Sequence, residues 1–280
     1  MIVFPCAKIN LGLNVVSKRQ DGYHNLETVF YPLPIYDTLE ANEMDDRFPS
    51  ETGCDLKVTG NCIDCDERSN LVVKAYNMLS EHYRLKRLHI HLHKEIPSQA
   101  GLGGGSSDAA YMIRLLNMQT GLGMTDKEME TYAARLGADC AFFITSSPAY
   151  ATGIGDKLSP IESLGDKLKG YFIAVVKPDI AISTKEAYSA IQPKSPAECC
   201  LETVTKRPIE EWKGRLTNDF ESSLFTTYPR LKEIKEKLYE LGAVYAQMSG
   251  SGSSVFGIFK NRPNDLDSRF PEDYTSVCNV

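Results

Sequence analysis

The sequence predicts an α/β (α+β) protein of two domains. Its 280 residues exceed the usual size of one domain, so two modest domains are slightly favoured over one large domain. A strand, a glycine-rich loop and a helix follow one another between residues 88 and 116, and a second buried strand is predicted at Tyr171–Val176. We place the boundary between these features, which gives a first domain of residues 1–155 and a second of residues 156–280.

Composition excludes several classes of protein. Hydrophobic residues make up 42% and charged residues 24%, values that allow a large core and exclude a disordered, collagen-like or coiled-coil chain. The 31 basic and 37 acidic residues give a net charge of −6, whereas a nucleic-acid-binding protein normally carries a basic surplus. We therefore expect no nucleic acid among the partners of this chain.

No apolar run approaches the roughly 18 to 20 residues that cross a bilayer. Lys8 interrupts the apolar start, so we do not expect this segment to be a signal peptide. We therefore expect a cytoplasmic chain that has no membrane partner and acts as a monomer or homodimer. In that compartment the eight cysteines are expected to be reduced thiols. Cys62 and Cys65 have the spacing of zinc ligands, but no second pair follows, so a surface loop is favoured over a metal or redox site.

In the first half, Ile2–Val16 predicts two strands around a turn, and the polar stretch Asn42–Gly53 predicts a loop. Apolar residues with helical spacing predict a helix over 71–79. Leu88, Ile90 and Leu92 then alternate with three histidines, which is typical of a half-buried strand.

The histidine stripe, His89, His91 and His93, has two interpretations. Three imidazoles on one face of a strand could bind a transition metal. However, no carboxylate accompanies them at the spacing of a facial triad, so a polar sheet face is favoured.

Further along, Thr125 and Glu128 form a capping box that predicts the start of a helix, and Gly137 suits its C-terminal end. Residues 158–170 are interpreted as a connector. The stretch 229–241 predicts an amphipathic helix, and 248–259 predicts a glycine-rich turn that leads into a strand. The tail after Lys260 fits no motif.

The loop Gly101–Ser107 is the strongest local indication of function. Glycines let the backbone approach a ligand with its N–H groups pointing inward, and a helix that begins near Ser106 adds its positive dipole end. Together these features favour a bound phosphate. The segment is not a P-loop, because Gly-Lys-Ser/Thr occurs nowhere, and it fits GxGxxG poorly. The alternative, a flexible turn, would not need so many glycines before a well-formed helix.

Two charged residues lie in apolar segments. A lysine such as Lys8 is costly within a strand core unless its ammonium meets an anion, although for this residue taken alone an edge-strand position is the favoured explanation. Asp139 precedes an apolar run, where it could be a helix N-cap. A phosphate loop, a lysine and an aspartate are together the parts of a phosphoryl transferase.

Three segments resemble the motifs of the galactose, homoserine, mevalonate and phosphomevalonate (GHMP) kinases: Ala7-Lys-Ile-Asn-Leu11, Gly101–Ser107 and Met248–Phe256. The resemblance runs in order from about residue 3 to residue 260. It implies a first domain like domain 2 of ribosomal protein S5 and a ferredoxin-like second domain. It also implies transfer of a phosphoryl group from ATP to an alcohol.

Further segments are similar to one branch of these kinases: Asp21–Leu26, Ala100–Ala110, Gly137–Asp139 and Gly153–Asp156. The branch phosphorylates the 2-hydroxyl of a cytidine diphosphate-linked methylerythritol in non-mevalonate isoprenoid synthesis. The resemblance implies that Asp139 is the general base and that Lys8 positions the base and the phosphoryl group. It implies substrate contacts from Asn10, Tyr23, His24, Phe30 and Tyr188, and ATP contacts from Pro97, Ser98, Gln99, Ala100, Gly101, Leu102, Gly103, Gly104, Gly105, Ser106 and Ser107.

Mg²⁺ is expected to bridge the phosphates of ATP. Asp139 or Ser106 would coordinate it, or the phosphates and water would provide most of its ligands. Two other functions stay open: another GHMP kinase acting on homoserine or a mevalonate derivative, and a catalytically silent ligand sensor on the same fold. Ordinary packing also stays open as an explanation of Tyr23 and Tyr188.

Overall fold

The computed structural model describes residues 1–45, 47–50, 52–61, 66–189, 191–194, 196 and 198–280. Helices and strands occur throughout these ranges, as the predicted α/β class requires. The strands are β1 (Ile2–Val3), β2 (Cys6–Lys18), β3 (His24–Tyr36), β4 (Thr38–Glu43), β5 (Cys54–Gly60), β6 (Leu88–Lys94), β7 (Ala149–Thr152), β8 (Lys157–Pro160), β9 (Phe172–Lys177), β10 (Tyr245–Met248), β11 (Val255–Phe259) and β12 (Tyr274–Asn279).

The helices are α1 (Leu71–Ser80), α2 (Gly104–Thr120), α3 (Asp126–Leu136), α4 (Phe142–Thr145), α5 (Glu162–Leu168), α6 (Thr184–Ser189), α7 (Cys200–Lys206), α8 (Glu221–Thr227), α9 (Pro229–Glu240) and α10 (Leu266–Arg269). Short 3-10 helices occupy Glu67–Ser69 and Ile209–Glu211. None of the helices in the described ranges has both the length and the apolar character that a membrane-spanning helix needs.

The chain folds into two compact units, and each unit is made of three segments that alternate along the sequence with those of the other. The first unit contains residues 1–7, 35–98 and 103–146, and the second contains residues 8–34, 99–102 and 147–280. Between residues 35 and 146 only the four residues Gln99–Leu102, which include the start of the glycine-rich loop, belong to the second unit. The single boundary at residue 155 stays a prediction.

The first unit is built on a four-stranded sheet in the order β1-β4-β6-β5, in which only the β5–β6 pair is parallel. Strand β6 buries Leu88, Ile90 and Leu92 on one face. Helix α2 packs against α1 and α3 and contacts β4, so it lies in the core of this unit. Its buried apolar residues are Ala109, Ala110, Met112, Ile113, Leu115 and Leu116.

The second unit contains two sheets, ordered β2-β3-β7-β8 and β10-β11-β9-β12. The pairs within the second sheet are all antiparallel. Apolar residues of β2 and β9 pack with those of α8 and α9 in one core cluster, which includes Leu13, Val15, Val176, Phe220 and Leu238.

Several predicted elements are confirmed. Helix α1 covers the predicted stretch, α3 begins with the Thr125–Glu128 capping box and has Gly137 as its C-cap, and α9 follows the predicted amphipathic pattern. The predicted strands β6 and β9 form, and the glycine-rich turn after β10 leads into β11. The loop predicted from Asn42 begins two residues later, because β4 continues to Glu43.

Two predictions about local structure are wrong, and a third element was not predicted. Residues 6–18 form one continuous strand rather than a strand pair, because Gly12 adopts a positive φ of 71° without turning the chain back. The supposed connector 158–170 contains most of β8 and all of α5. The tail ends in β12, which pairs with β9, and this partner is 97 residues upstream in the case of Tyr274 and Lys177, so local pattern does not indicate it.

The histidine stripe forms the polar face of β6. His89 contacts the Asp55 carboxylate at 2.9 Å, and the Thr59 hydroxyl lies 2.9 Å from both His91 and His93. The preferred interpretation, a polar sheet face, therefore describes these side chains. Cys62 and Cys65 lie outside the described residues. Six cysteines within those residues are free thiols, namely Cys6, Cys54, Cys140, Cys199, Cys200 and Cys278.

Candidate active site

In the second unit, hydrogen bonds join the glycine-rich loop and its preceding residue to the turn after β10. The Ser254 amide donates to the Ala100 carbonyl at 3.1 Å, and the Ser249 hydroxyl donates to the Gly101 carbonyl at 2.9 Å. Gly101 has a φ of +73°, a conformation that favours glycine. Two motifs separated by about 150 residues thus become one structural element.

Lys8 joins the third motif to this element. Its ammonium donates to Asn10 Oδ1 at 2.7 Å and to the Gly101 carbonyl at 3.2 Å, and its backbone amide donates to the Leu102 carbonyl at 2.9 Å. The ammonium also lies 5.1 Å from the centre of the Phe30 ring, within the range of a cation–π contact. Strand β2 is at the edge of its sheet, yet Lys8 is only 3% exposed. An ordinary edge-strand lysine does not have these features.

Asn10 is held from two sides. Its side-chain amide donates to the Thr28 hydroxyl at 3.0 Å, and its backbone amide donates to the Ser249 hydroxyl at 3.3 Å. Thr28 is fully buried and donates in turn to the Gly12 carbonyl. Sequence analysis missed Thr28, although a hydroxyl among the apolar residues of a long strand could have drawn attention to it.

The structure brings together only some of the aromatic residues that are predicted to contact the substrate. His24 stacks on Tyr188 with ring centres 5.0 Å apart and planes 19° apart, and Tyr188 meets Phe220 edge to face. Burial, with a smaller effect of the Lys18 charge, lowers the pKa of His24, which favours the neutral imidazole. Tyr23 is 62% exposed, whereas Phe30 is buried beneath Lys8.

In the first unit the remainder of the glycine-rich loop opens helix α2. Its N-cap, Gly103, has a φ of +74° and provides no side-chain cap. The backbone amides of the first turn, Gly104–Ser106, have no acceptor within the helix, and they form the positive end of the helix dipole. Gly105 is exposed, and a Cβ atom there would meet no heavy atom within 4 Å. This turn can therefore bind an anion by backbone alone. Pro97 and Ser98 precede the crossing into the second unit.

Asp139 also belongs to the first unit. It is half-buried and does not cap a helix, because α4 begins with Ala141 as its N-cap, so the N-cap interpretation is wrong. The next residue, Cys140, lies close enough to Ser106 of the glycine-rich loop for the Ser106 hydroxyl to lower the pKa of its thiol, so the Asp139 segment lies near the first turn of α2. Burial raises the pKa of Cys140 to about 11, so its thiol is protonated at neutral pH. Lys8 belongs to the second unit, and its pairing with Asp139 stays a prediction.

Sequence analysis missed a buried charge cluster beside the same turn. The Lys94 ammonium donates to Asp108 Oδ2 at 2.6 Å and to Asp37 Oδ2. Lys94 continues the inward phase of Leu88, Ile90 and Leu92, so its side chain points into the core. A lysine in the apolar phase of a strand was the available indication.

The sequence matches two family models in order. "GHMP kinases N terminal domain" matches residues 70–147, and "GHMP kinases C terminal" matches residues 202–272. Among curated proteins, the 4-diphosphocytidyl-2-C-methyl-D-erythritol kinase of Bacteroides fragilis (strain YCH46) is 52% identical over 259 residues, which are 92% of each chain. This chain belongs to the 4-diphosphocytidyl-2-C-methyl-D-erythritol kinase family of the GHMP kinases. The family implies that the chain is a small-molecule kinase that uses ATP.

Solved structures agree with this assignment. A crystal structure of 4-(cytidine 5'-diphospho)-2C-methyl-D-erythritol kinase superposes with a TM-score of 0.77 at 30% identity and covers 99% of this chain and 98% of the other. The mevalonate kinase of Methanococcus jannaschii has a TM-score of 0.73 at 15% identity, with 100% and 98% covered, so the two proteins share the fold. The predicted two-domain α/β GHMP kinase fold is confirmed, and a mevalonate- or homoserine-type kinase is not favoured.

Proposed function

We propose that this chain transfers the γ-phosphoryl group of ATP to the 2-hydroxyl of 4-diphosphocytidyl-2-C-methyl-D-erythritol. One observation carries the proposal: three kinase motifs, distant in sequence, meet at the buried ammonium of Lys8. The names of relatives about half identical to the chain support this substrate. A sensor needs no such ammonium, so this arrangement also favours catalysis.

ATP binding is assigned to residues 97–107. The exposed backbone of Gly105 and the uncapped first turn of α2 suit a polyphosphate, because neither a side chain nor an intrahelical acceptor competes with it. Lys8 stabilises the negative charge that spreads over the transferring phosphoryl group. The Gly101 carbonyl and Asn10 fix the direction in which the ammonium points.

Asp139 is proposed as the general base, which accepts the proton of the acceptor hydroxyl. A general base must reach the hydroxyl proton, and Asp139 directly precedes Cys140, which lies beside Ser106 in the proposed phosphate-binding turn. His24 and Tyr188 provide an aromatic surface for the cytosine ring, and the neutral imidazole of His24 adds a polar edge. Tyr23, Phe30 and Asn10 remain proposed substrate contacts.

Mg²⁺ is the expected partner of ATP. Ser106 and Asp139 are its proposed protein ligands, and Cys140, the residue after Asp139, lies near Ser106 at the start of α2. A hydroxyl and a carboxylate suit Mg²⁺, which usually takes only one or two protein ligands beside phosphates and water. The described residues contain no group of three or more His, Cys, Asp or Glu side chains that could hold a metal ion. Bound there, Mg²⁺ would neutralise charge on the phosphates.

A coupled ADP-release assay tests this function. With ATP and Mg²⁺, we expect saturable turnover with the cytidine diphosphate-linked acceptor and none with homoserine or mevalonate, and ³¹P NMR of the product should place the new phosphate on the 2-hydroxyl. The Asp139→Asn variant is the control for contaminating kinases. Equal turnover with homoserine or mevalonate would contradict the proposal.

A further inference from the structure

A series of hydrogen bonds leads from the Lys8 ammonium into the core of the second unit. The ammonium donates to Asn10 Oδ1 at 2.7 Å, and Asn10 Nδ2 donates to the Thr28 hydroxyl at 3.0 Å. The Thr28 hydroxyl in turn donates to the Gly12 carbonyl. Lys8 and Asn10 are each 3% exposed and Thr28 is 0% exposed, so water cannot readily replace a partner that is lost.

The last bond of the series determines the direction of the others. A carbonyl oxygen can only accept a hydrogen bond, so the one hydrogen of the Thr28 hydroxyl goes to Gly12. Toward Asn10 the hydroxyl oxygen is then an acceptor, and in the Asn10 side chain only the amide nitrogen can donate to it. This assignment turns the amide oxygen of Asn10 toward Lys8, whose ammonium has only donors. Thr28 therefore selects the orientation of the Asn10 amide that Lys8 requires.

Gly12 is a rigid end for this series. It has a φ of +71° within β2, a conformation that favours glycine, and its backbone amide donates to Gln247 Oε1 at 2.8 Å. A Cβ atom on Gly12 would lie 2.5 Å from both Cys200 Sγ and Leu216 Cδ1, so no other residue fits without a shift of its neighbours. Because the backbone here is held on both sides, the acceptor of the Thr28 hydroxyl is fixed in position.

A second buried threonine of the same unit shows that burial alone does not require such a series. Thr203 of α7 is also fully buried, but its hydroxyl has no hydrogen-bond partner in the described ranges. The hydroxyl of Thr28, in contrast, uses its donor and accepts a hydrogen bond. This difference makes Thr203 a matched control for Thr28.

We propose that Thr28 is a positioning residue for phosphoryl transfer: it orients the Asn10 amide so that Oδ1 holds the Lys8 ammonium in the direction that the transition state requires. This inference rests on the proposed role of Lys8. Thr28 itself is fully buried and acts only through Asn10. Since charge spreads over the phosphoryl group in the transition state, loss of this orientation should lower the rate more than it weakens ATP binding.

The Thr28→Val variant keeps the shape of the side chain and removes the hydroxyl. We expect kcat to fall about 10-fold or more, the effect of one hydrogen bond on a barrier, while the KM for ATP stays within about 2-fold of the wild type. Thr28→Ser keeps the hydroxyl and should restore kcat to within about 3-fold of the wild type. Thr203→Val, the matched control, should have the kcat of the wild type.

A double-mutant cycle separates this role from a purely structural one. In the Asn10→Ala variant there is no amide to orient, so addition of Thr28→Val should not lower kcat further. An equal fall in kcat with and without Asn10 would overturn the inference, because a purely structural role predicts that result. A wild-type kcat in the single Thr28→Val variant would also overturn it.

If Thr28→Val does not fold, NMR of the wild type decides instead. The side-chain amide protons of Asn10, assigned by their loss in Asn10→Ala, should show stronger nuclear Overhauser effects to Thr28 than to the ε protons of Lys8. The reverse pattern would mean that the amide has the opposite orientation and would overturn the inference. This measurement needs no turnover, so a wild type with the expected pattern that phosphorylates no acceptor would contradict the proposed function and not the orientation of Asn10.

Discussion

A Cβ atom on Gly101 would lie 2.0 Å from the carbonyl oxygen of Ser249. The glycine-rich loop and the turn after β10 therefore approach so closely that no side chain fits between them. The same pair is linked by the hydrogen bond from the Ser249 hydroxyl to the Gly101 carbonyl. This close approach places the carbonyl where it also accepts from Lys8.

Gly101→Ala should destabilise the protein. The positive φ alone costs an alanine about 1 to 2 kcal/mol, and the overlap with Ser249 adds to this cost. We expect the free energy of unfolding, measured by urea titration, to fall by about 2 kcal/mol or more. An unchanged midpoint would show that the two loops do not approach so closely.

Gly105→Ala, in contrast, should weaken ATP binding without destabilising the protein. A Cβ atom there meets nothing, and alanine is the better helix former by about 0.5 to 1 kcal/mol, so stability should be kept or increased. The methyl group would nevertheless stand where the phosphates are proposed to approach the backbone. We expect the KM for ATP to rise at least about 10-fold. A wild-type KM would remove this turn from the ATP site.

Lys8→Ala should lower kcat at least about 100-fold, because the charge on the transferring phosphoryl group loses its buried cation. The arrangement around Asn10 and Phe30 orients the ammonium, so Lys8→Arg, with a larger planar group, should not restore the rate. Steady-state kinetics at saturating ATP and acceptor measure both effects. Lys57→Ala, an exposed lysine on β5, is the control.

Asp139→Asn should bind nucleotide with an affinity close to that of the wild type, while kcat falls at least about 100-fold, the usual scale for loss of a general base. Nucleotide binding by calorimetry and turnover by ADP release separate the two effects. Turnover at the wild-type rate would remove Asp139 from the mechanism.

Tyr188→Ala should raise the KM for the cytidine-bearing acceptor more than the KM for ATP. Stacking of a base on an aromatic ring is worth about 1 to 3 kcal/mol, which corresponds to roughly 5- to 150-fold. Tyr188→Phe keeps the ring and should remain within a few-fold of the wild type. Because Tyr188 also packs on Phe220, thermal unfolding of both variants must be measured. If Tyr188→Ala lowers stability alone, Tyr188 serves only in packing.

Local patterns predicted much of this molecule. The capping box at Thr125, the alternation along β6 and the apolar spacing of α1 are properties of residues close in sequence, so their structures follow from short-range geometry. The strand β12 was not predicted because its partner β9 is far along the chain, and β2 was not predicted as one strand because Gly12 suggested a turn, although its positive φ does not turn the chain back.

The residues of the candidate site also fall into those that the sequence predicted and those that it did not. The sequence predicted Lys8, Asp139 and residues 97–107 as site residues because charges in apolar segments and repeated glycines are uncommon without a ligand, and their roles stay predictions. Thr28 and Asp37 were not found, since a buried hydroxyl or carboxylate looks ordinary until its partner is known, and Lys94 was missed although it lies in the apolar phase of β6.

The order of amino acids alone determined the kinase family, the type of most helices and strands, and the residue types from which a phosphoryl-transfer site can be built. Only the tertiary structure decided that Lys8 is buried against Gly101, that Ser249 closes on the same carbonyl, and that Asp108 shares an ammonium with Asp37. The reason is physical: a motif requires only local geometry, whereas the burial and the charge balance of a side chain depend on segments that folding brings together from distant parts of the chain.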